Sequence, residues 1–333
     1  MGLIAYLHSW LDYGLACVKM VQNREVGWLT VDRKTGEYKR EQQPLLKKIK
    51  LLLLFNPLFE WIDTLHLFRW YLHEQASMEG KSMTKPSSRK KIESFIDFYH
   101  INMDEFEPSD PGAYQTFQGF FTRHHKPESR PIYAKDDARK ATCPADCRAV
   151  VYDTVSQARK IWIKGSHFTI SALVQSPDHA ITWDNGAVAS FRLSPQDYHR
   201  YHSPVSGKVK WWKAISGDYY GVDPLCLRSR INVLTQNARC ALAIDSAEFG
   251  QVLFVAIGAK EVGTVCFSEK ARTPGAMIEK GDELGMFEFG GSSIVVVFEQ
   301  GRIEFDEDLL SVSKRGVQMD VEVGQSLGKA VKI

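Results

Sequence analysis

Val252-Leu253-Phe254-Val255-Ala256-Ile257 and Ile294-Val295-Val296-Val297-Phe298 are short, wholly apolar runs rich in branched and aromatic residues. Runs of this length and composition, bounded by Gly, Ser or Gln, read as β-strands. Working outward, Ile161-Trp162-Ile163 and Val209 to Trp212 have the same texture, and from about Ala149 onward such runs alternate with Gly, Asp, Asn or Pro. The pattern predicts a β-rich domain of several short strands. The chain before it reads differently. Ser87-Ser88 followed by Arg89 to His100 has the form of a capped helix, with Ile92, Phe95, Ile96 and Tyr99 on one apolar face. Pro108 and Pro111 then interrupt Glu107 to Gly112, which reads as a linker. The fold class is therefore α+β, with an N-terminal helical region over residues 1–107 and a β-rich domain over residues 108–333.

Composition narrows what such a fold can do. With 333 residues, 44% hydrophobic and 25% charged, the chain has the make-up of an ordinary globular protein with a sizeable core. A net charge of +2 and the lack of a basic tract argue against nucleic acid as a partner. No Gly-rich phosphate loop and no 20–50-residue repeat is visible. The six cysteines are scattered without a secretory context, which argues for thiols rather than a disulfide framework. Cys143 and Cys147 lack a second Cys/His pair at zinc spacing, so no metal site is expected.

His8 and Asp12 interrupt the apolar start, and no basic leader or cleavage site is apparent. Met1-Gly2 opens like a myristoylation signal, but Tyr6 stands where Ser or Thr is needed. Residues 45–72 read LLKKIKLLLLFNPLFEWIDTLHLFRWYL, an apolar and aromatic stretch broken by Pro57 and several charges. A transmembrane helix needs about 20 predominantly apolar residues in succession, which this stretch lacks. It suits an interfacial position instead, with Trp61, Trp70 and Tyr71 at headgroup depth and Lys47, Lys48 and Lys50 near lipid phosphates. Helices packed on the rest of the fold are the competing reading, and different faces can serve each. A peripheral membrane location is expected, with no secretory signal or spanning segment.

Four segments carry the chemistry. Phe117-Gln118-Gly119-Phe120-Phe121-Thr122-Arg123 precedes Lys126-Pro127 and Arg130-Pro131-Ile132; Cys143-Pro144-Ala145-Asp146 follows. Asp197-Tyr198-His199-Arg200-Tyr201-His202-Ser203-Pro204 comes next, and last Phe287-Glu288-Phe289-Gly290-Gly291-Ser292-Ser293. A Gly-Gly-Ser-Ser sequence is by itself most often a turn, and His-x-x-His is most often structural or a metal pair. In this order and spacing, however, the segments resemble the phosphatidylserine decarboxylase family over roughly residues 95–330. Gly301-Arg302-Ile303-Glu304-Phe305-Asp306-Glu307-Asp308-Leu309-Leu310 is similar to the family's C-terminal region. Two positions depart from it: Cys147 stands where Gly is frequent, and Ser293 where Thr is frequent.

The resemblance implies a β-rich catalytic domain that cuts itself between Gly291 and Ser292, turning Ser292 into a covalent pyruvoyl cofactor. Gly290 and Gly291 give the backbone freedom to expose the Gly291 carbonyl to the Ser292 hydroxyl. A serine hydroxyl needs a base. By resemblance His202 is that base, with Asp146 orienting its imidazole, while His199 positions substrate or returns a proton. The pyruvoyl carbonyl would then capture a primary amine and take up electrons as CO2 leaves. Chains 1–291 and 292–333 are expected to stay associated; whether they form a homo-oligomer stays open. The implied reaction converts phosphatidylserine to phosphatidylethanolamine and CO2. Two alternatives remain: a pyruvoyl-dependent decarboxylase of a soluble aromatic amino acid such as tryptophan, and an unprocessed, non-catalytic binding homologue.

Overall fold

The computed structural model describes residues 29–40, 80–161, 168–218, 233–258, 265–290 and 292–331. In chain order the strands used below are β1 (Leu29–Asp32), β2 (Tyr38–Arg40), β3 (Cys147–Tyr152), β4 (Ala187–Leu193), β5 (Arg200–His202), β6 (Gly207–Ile215) and β7 (Arg239–Ser246). They continue with β8 (Gly250–Gly258), β9 (Val265–Phe267), β10 (Met277–Ile278), β11 (Glu283–Phe287), β12 (Ser292–Phe298) and β13 (Gln318–Val321). Ten of them form one sheet in the order β10-β6-β7-β8-β12-β4-β3-β13-β1-β2. The two runs that announced the fold, in β8 and β12, pair antiparallel at its centre.

Those runs are continuously apolar because both faces of the sheet are covered. Ile294, Val296 and Phe298 face one core with Phe254 and Ala256, and Val295 and Val297 face a second with Val255 and Ile257. Over the first face lies a smaller sheet, β9-β11-β5. Its Tyr201 packs on Phe254, Phe267 and Phe287 with ring centroids 5.6, 5.9 and 4.8 Å apart. Short helices, Val155–Ile161 and Ile170–Val174 among them, cover the second face through Val155, Ala158, Leu173 and Val174. Ile161 therefore ends a helix where a strand was expected, because Val155 and Ala158, at helical spacing, bury one side of that segment.

The helix expected before the domain forms as α1 (Ile92–Tyr99), entered through a 3-10 turn rather than a serine cap. Ser88 Oγ donates to Met83 and Lys85 carbonyls and accepts from Phe117 N, so it binds α1 to α2 (Phe117–Phe121). Phe95 completes the join, edge-on to Phe117 and Phe120 at 5.1 and 6.0 Å. The N-terminal region also supplies strands. β1 pairs parallel with β13, and Arg33 bridges to Asp306 and Asp308 at 2.8 Å each. Residues 29–40 thus belong to the main sheet rather than to a separate helical region. The segment Leu51–Tyr71, with Lys47, Lys48 and Lys50, lies outside the described residues, as does Gly291.

Gly285 of β11 sits between its two neighbours so closely that a Cβ there would run into the Cys266 carbonyl and the Tyr201 hydroxyl. Gly285→Ala is expected to destabilise the protein by about 1–3 kcal/mol, the usual cost of overpacking. Urea unfolding measures it, and an unchanged midpoint would contradict this packing.

Candidate active site

β4 ends at Leu193, and the chain turns over Ser194 to Asp197 before entering β5. Asp197 holds the turn: its carboxylate accepts from Ser194 N at 2.6 Å and from the guanidinium of Arg148 on β3. The Asp197 carbonyl lies 2.9 Å from His199 Nδ1. A carbonyl can only accept, so Nδ1 carries the proton and Nε2 is left with a bare lone pair. That Nε2 is buried and has no partner. The ring lies 3.8 Å from the Phe121 ring, and burial, helped by the charge of Arg123, pushes its pKa down to about 3. His199 is a neutral, buried base.

Ser292 begins β12, opposite Leu193 on one side and Gly258 on the other. Its Oγ is also buried and without a partner, whereas Ser293 Oγ donates to the Phe191 carbonyl at 3.1 Å. Side chains alternate along a strand. Ser292 therefore shares the side of Ile294, toward the first core, while the His199 ring, just before β5, lies against Phe121 of α2. The segment joining β11 to β12 is held against α2: Phe289 N donates to Gln118 Oε1 at 2.9 Å, and its ring lies 5.3 and 5.1 Å from Phe117 and Phe121.

His202, three positions on, takes the opposite side of β5. Its Nδ1 lies 2.8 Å from the Gly281 carbonyl and its Nε2 3.1 Å from Tyr198 Oη, so both nitrogens are engaged. Burial lowers its pKa as well. Asp146, expected to orient His202, is hydrogen-bonded elsewhere. It receives His125 Nε2 at 3.0 Å, Arg130 Nη2 at 2.9 Å and Val323 N at 2.8 Å. Burial by itself would raise this carboxyl, but the His125 hydrogen bond and the Arg130 charge overcome it and hold the pKa well below the usual carboxylate range. The expected Asp146–His202 pairing is thus replaced by Asp146–His125, because a second histidine and an arginine reach the carboxylate first.

His125, Arg130 and Tyr198 were in the sequence but not singled out as a group. His125 Nδ1 faces the Glu105 carbonyl at 3.3 Å, so both its nitrogens meet oxygen acceptors. Its ring is stacked between Phe106 at 4.4 Å and Tyr198 at 4.3 Å. The available signal was the His124-His125 pair set between the Phe-rich motif and Lys126-Pro127. Cys143 and Cys147 are buried thiols, and burial pushes Cys143 up to about 12. Among the described residues no helix is long and apolar enough to cross a membrane.

Ser292 Oγ, sealed at the start of a central strand, and His199 Nε2 are thus two buried polar atoms without a partner. The phosphatidylserine decarboxylase family matches residues 117–329, and the chain belongs to that family. It is 38% identical to phosphatidylserine decarboxylase proenzyme 2 of Komagataella phaffii, over 90% of this chain and 29% of that protein. To proenzyme 2 of Oryza sativa subsp. japonica it is 41% identical, over 78% of this chain and 42% of the relative. It therefore spans less than half the length of these relatives. The proenzyme of Chlamydia trachomatis serovar L2 matches nearly end to end, at 31% identity over 90% of this chain and 97% of that one.

The Asp146 cluster makes a prediction about acid. Its folded pKa lies below the unfolded value of about 3.9, so its contribution is complete above that value and is lost as pH falls toward the folded one. Asp146→Asn is expected to be less stable at neutral pH by about 3 kcal/mol, as for a broken buried pair, and to lose less on acidification. Thermal melts between pH 7 and pH 3 test this, and parallel profiles for the two proteins would contradict it.

Proposed function

We propose that the chain is a proenzyme that cuts itself between Gly291 and Ser292 and then converts phosphatidylserine to phosphatidylethanolamine and CO2. The observation that carries this reading is the pair of unpartnered, buried atoms, Ser292 Oγ and His199 Nε2, in two segments that match the family's motifs. A buried polar atom without a partner costs stability, and two of them at a Gly-Ser junction point to a reaction. His199 takes the base role here in place of His202.

In that reaction His199 Nε2 accepts the Ser292 hydroxyl proton while Oγ attacks the Gly291 carbonyl carbon. The Gly291–Ser292 C–N bond breaks, the nitrogen takes up a proton, and an ester remains. Loss of the Ser292 α-proton then expels Gly291 as a carboxylate and leaves dehydroalanine, which takes up water and releases ammonia to give the pyruvoyl group. That group supplies an electrophilic carbonyl and an electron sink for loss of CO2 from an amine-bearing substrate. The neighbouring residues suit it. Phe121 and Phe289 keep water from the junction, and His199 stays neutral through burial.

The two pieces are expected to hold together, since β12 of the smaller one is hydrogen-bonded between β8 and β4 of the larger. Diacyl lipid favours a protein that works at the bilayer surface, since each CH2 drawn into water costs about 0.8 kcal/mol. Residues Leu51 to Tyr71 are the proposed contact. The names of the relatives favour the lipid substrate over tryptophan and over a non-catalytic role.

Wild-type protein is expected to show two masses on a denaturing analysis, residues 1–291 and a blocked 292–333. Ser292→Ala and His199→Ala should each remain one chain, while His202→Ala still cleaves. Normal cleavage of either of the first two would sink the mechanism. Purified enzyme should release CO2 from phosphatidylserine vesicles and sediment with them at low salt. Release from tryptophan without sedimentation would replace the lipid reading with the soluble one.

A further inference from the structure

Four charged residues lie in one row across the main sheet. Register sets Asp32 of β1 opposite Asp320 of β13, Asp320 opposite Arg148 of β3, and Arg148 opposite Arg192 of β4. Residues directly opposite in a sheet point to the same face, and like charges there repel. Arg148 and Arg192 are nonetheless buried, at 7% and 4% exposure. They are tolerated because the turn between β4 and β5 folds over them. Arg148 pairs with the Asp197 carboxylate, while Arg192 donates from Nη1 to Ser194 Oγ and from Nη2 to Gln318 Oε1, each at 3.2 Å. The two guanidiniums thus hold the two ends of one turn, which Ser194 N closes by donating to the Asp197 carboxylate at 2.6 Å.

That turn decides the state of His199. The Asp197 carbonyl receives His199 Nδ1 at 2.9 Å and so keeps the proton off Nε2. Asp197 therefore anchors the turn through its side chain and sets the imidazole through its main chain. We propose that Arg148 is the positioning residue of His199, acting through Asp197: its charge holds the turn whose carbonyl presents Nε2 bare. The consequence for self-cleavage rests on the function proposed above, whereas the effect on the imidazole itself does not.

The same row makes the device sensitive to pH. Burial pushes the Asp197 carboxyl up to about 7, with Arg148 opposing the rise and Asp320 adding to it. Arg123 and Cys147 also lie within electrostatic reach of Asp197, and Asp32 and Lys39 within reach of Asp320. A carboxyl raised in this way is ionised only above that value, so its pairing with Arg148 is complete on the alkaline side and weakens as pH falls through about 7. Asp320 is the more exposed carboxylate, its side chain 34% accessible, and lies 3.8 Å from Arg148 Nε. It can therefore be changed without removing the Arg148–Asp197 pair.

The test uses the full chain with nitrogen-labelled histidine, read by NMR in a Ser292→Ala background that stays whole. With Arg148 in place, His199 is expected to carry its proton on Nδ1 alone on the alkaline side and to lose that single tautomer as the pH falls. Arg148→Gln should show mixed tautomers throughout, with Arg148→Lys in between. Asp320→Asn removes a repelling charge, so its transition should come at lower pH. With Ser292 restored, Arg148→Gln should cut about a hundredfold more slowly, the usual cost of a misplacement of about 1 Å. A merely structural arginine would lower the melting temperature and leave the His199 tautomer and its pH profile unchanged, and that result overturns the proposal. So does a His199 ring protonated on Nε2 with Arg148 in place. If Arg148→Gln fails to fold, Asp320→Asn decides, and an unshifted profile overturns the proposal. A wild-type chain that never cuts, while its Ser292→Ala form shows the expected ring, overturns the cleavage reading instead.

Discussion

The position of Ser292 as the first residue of a strand buried on both faces constrains everything around it. β12 is hydrogen-bonded to β8 and β4, so Ser292 cannot swing toward a base as a loop serine can. The base must come to it. On the proposed reading His199, at the entrance of β5, is that base, and Tyr201 anchors the strand against Phe254.

Burial then sorts the ionisable groups into two neighbourhoods. On the outer side of β5, Asp146, Arg130 and His125 satisfy one another, and Tyr198 and His202 close against them. Elsewhere two atoms are left over: His199 Nε2 and Ser292 Oγ stay buried without partners. Orphaned buried polar atoms are uncommon in folded proteins, so their presence in both the histidine segment and the Gly-Ser segment carries more information than either singly.

The sheet centre was legible in the sequence because doubly buried strands have no polar residue to disguise them, as in Ile294 to Phe298. The serine and both histidines were legible as motifs. Their placement on opposite sides was not, since two histidines three apart look equivalent on paper and are separated only once Arg200 to His202 proves to be a strand. The partner of Asp146 was hidden for a different reason. His125 lies in a two-residue strand, too short to show a period, and reaches Asp146 only through tertiary packing. Ile161 ends a helix instead because an apolar triplet carries no period at all, and Trp162 and Ile163 lie outside the described residues.

The parallel pairing of β1 with β13 has a consequence for biogenesis. β13 is made long after β1, and β12 also follows most of the strands of that sheet. The sheet therefore cannot close around a nascent chain. On the proposed reading, a serine that becomes reactive only inside the finished layer would stay silent until β13 is made, so strand order itself would time the cut.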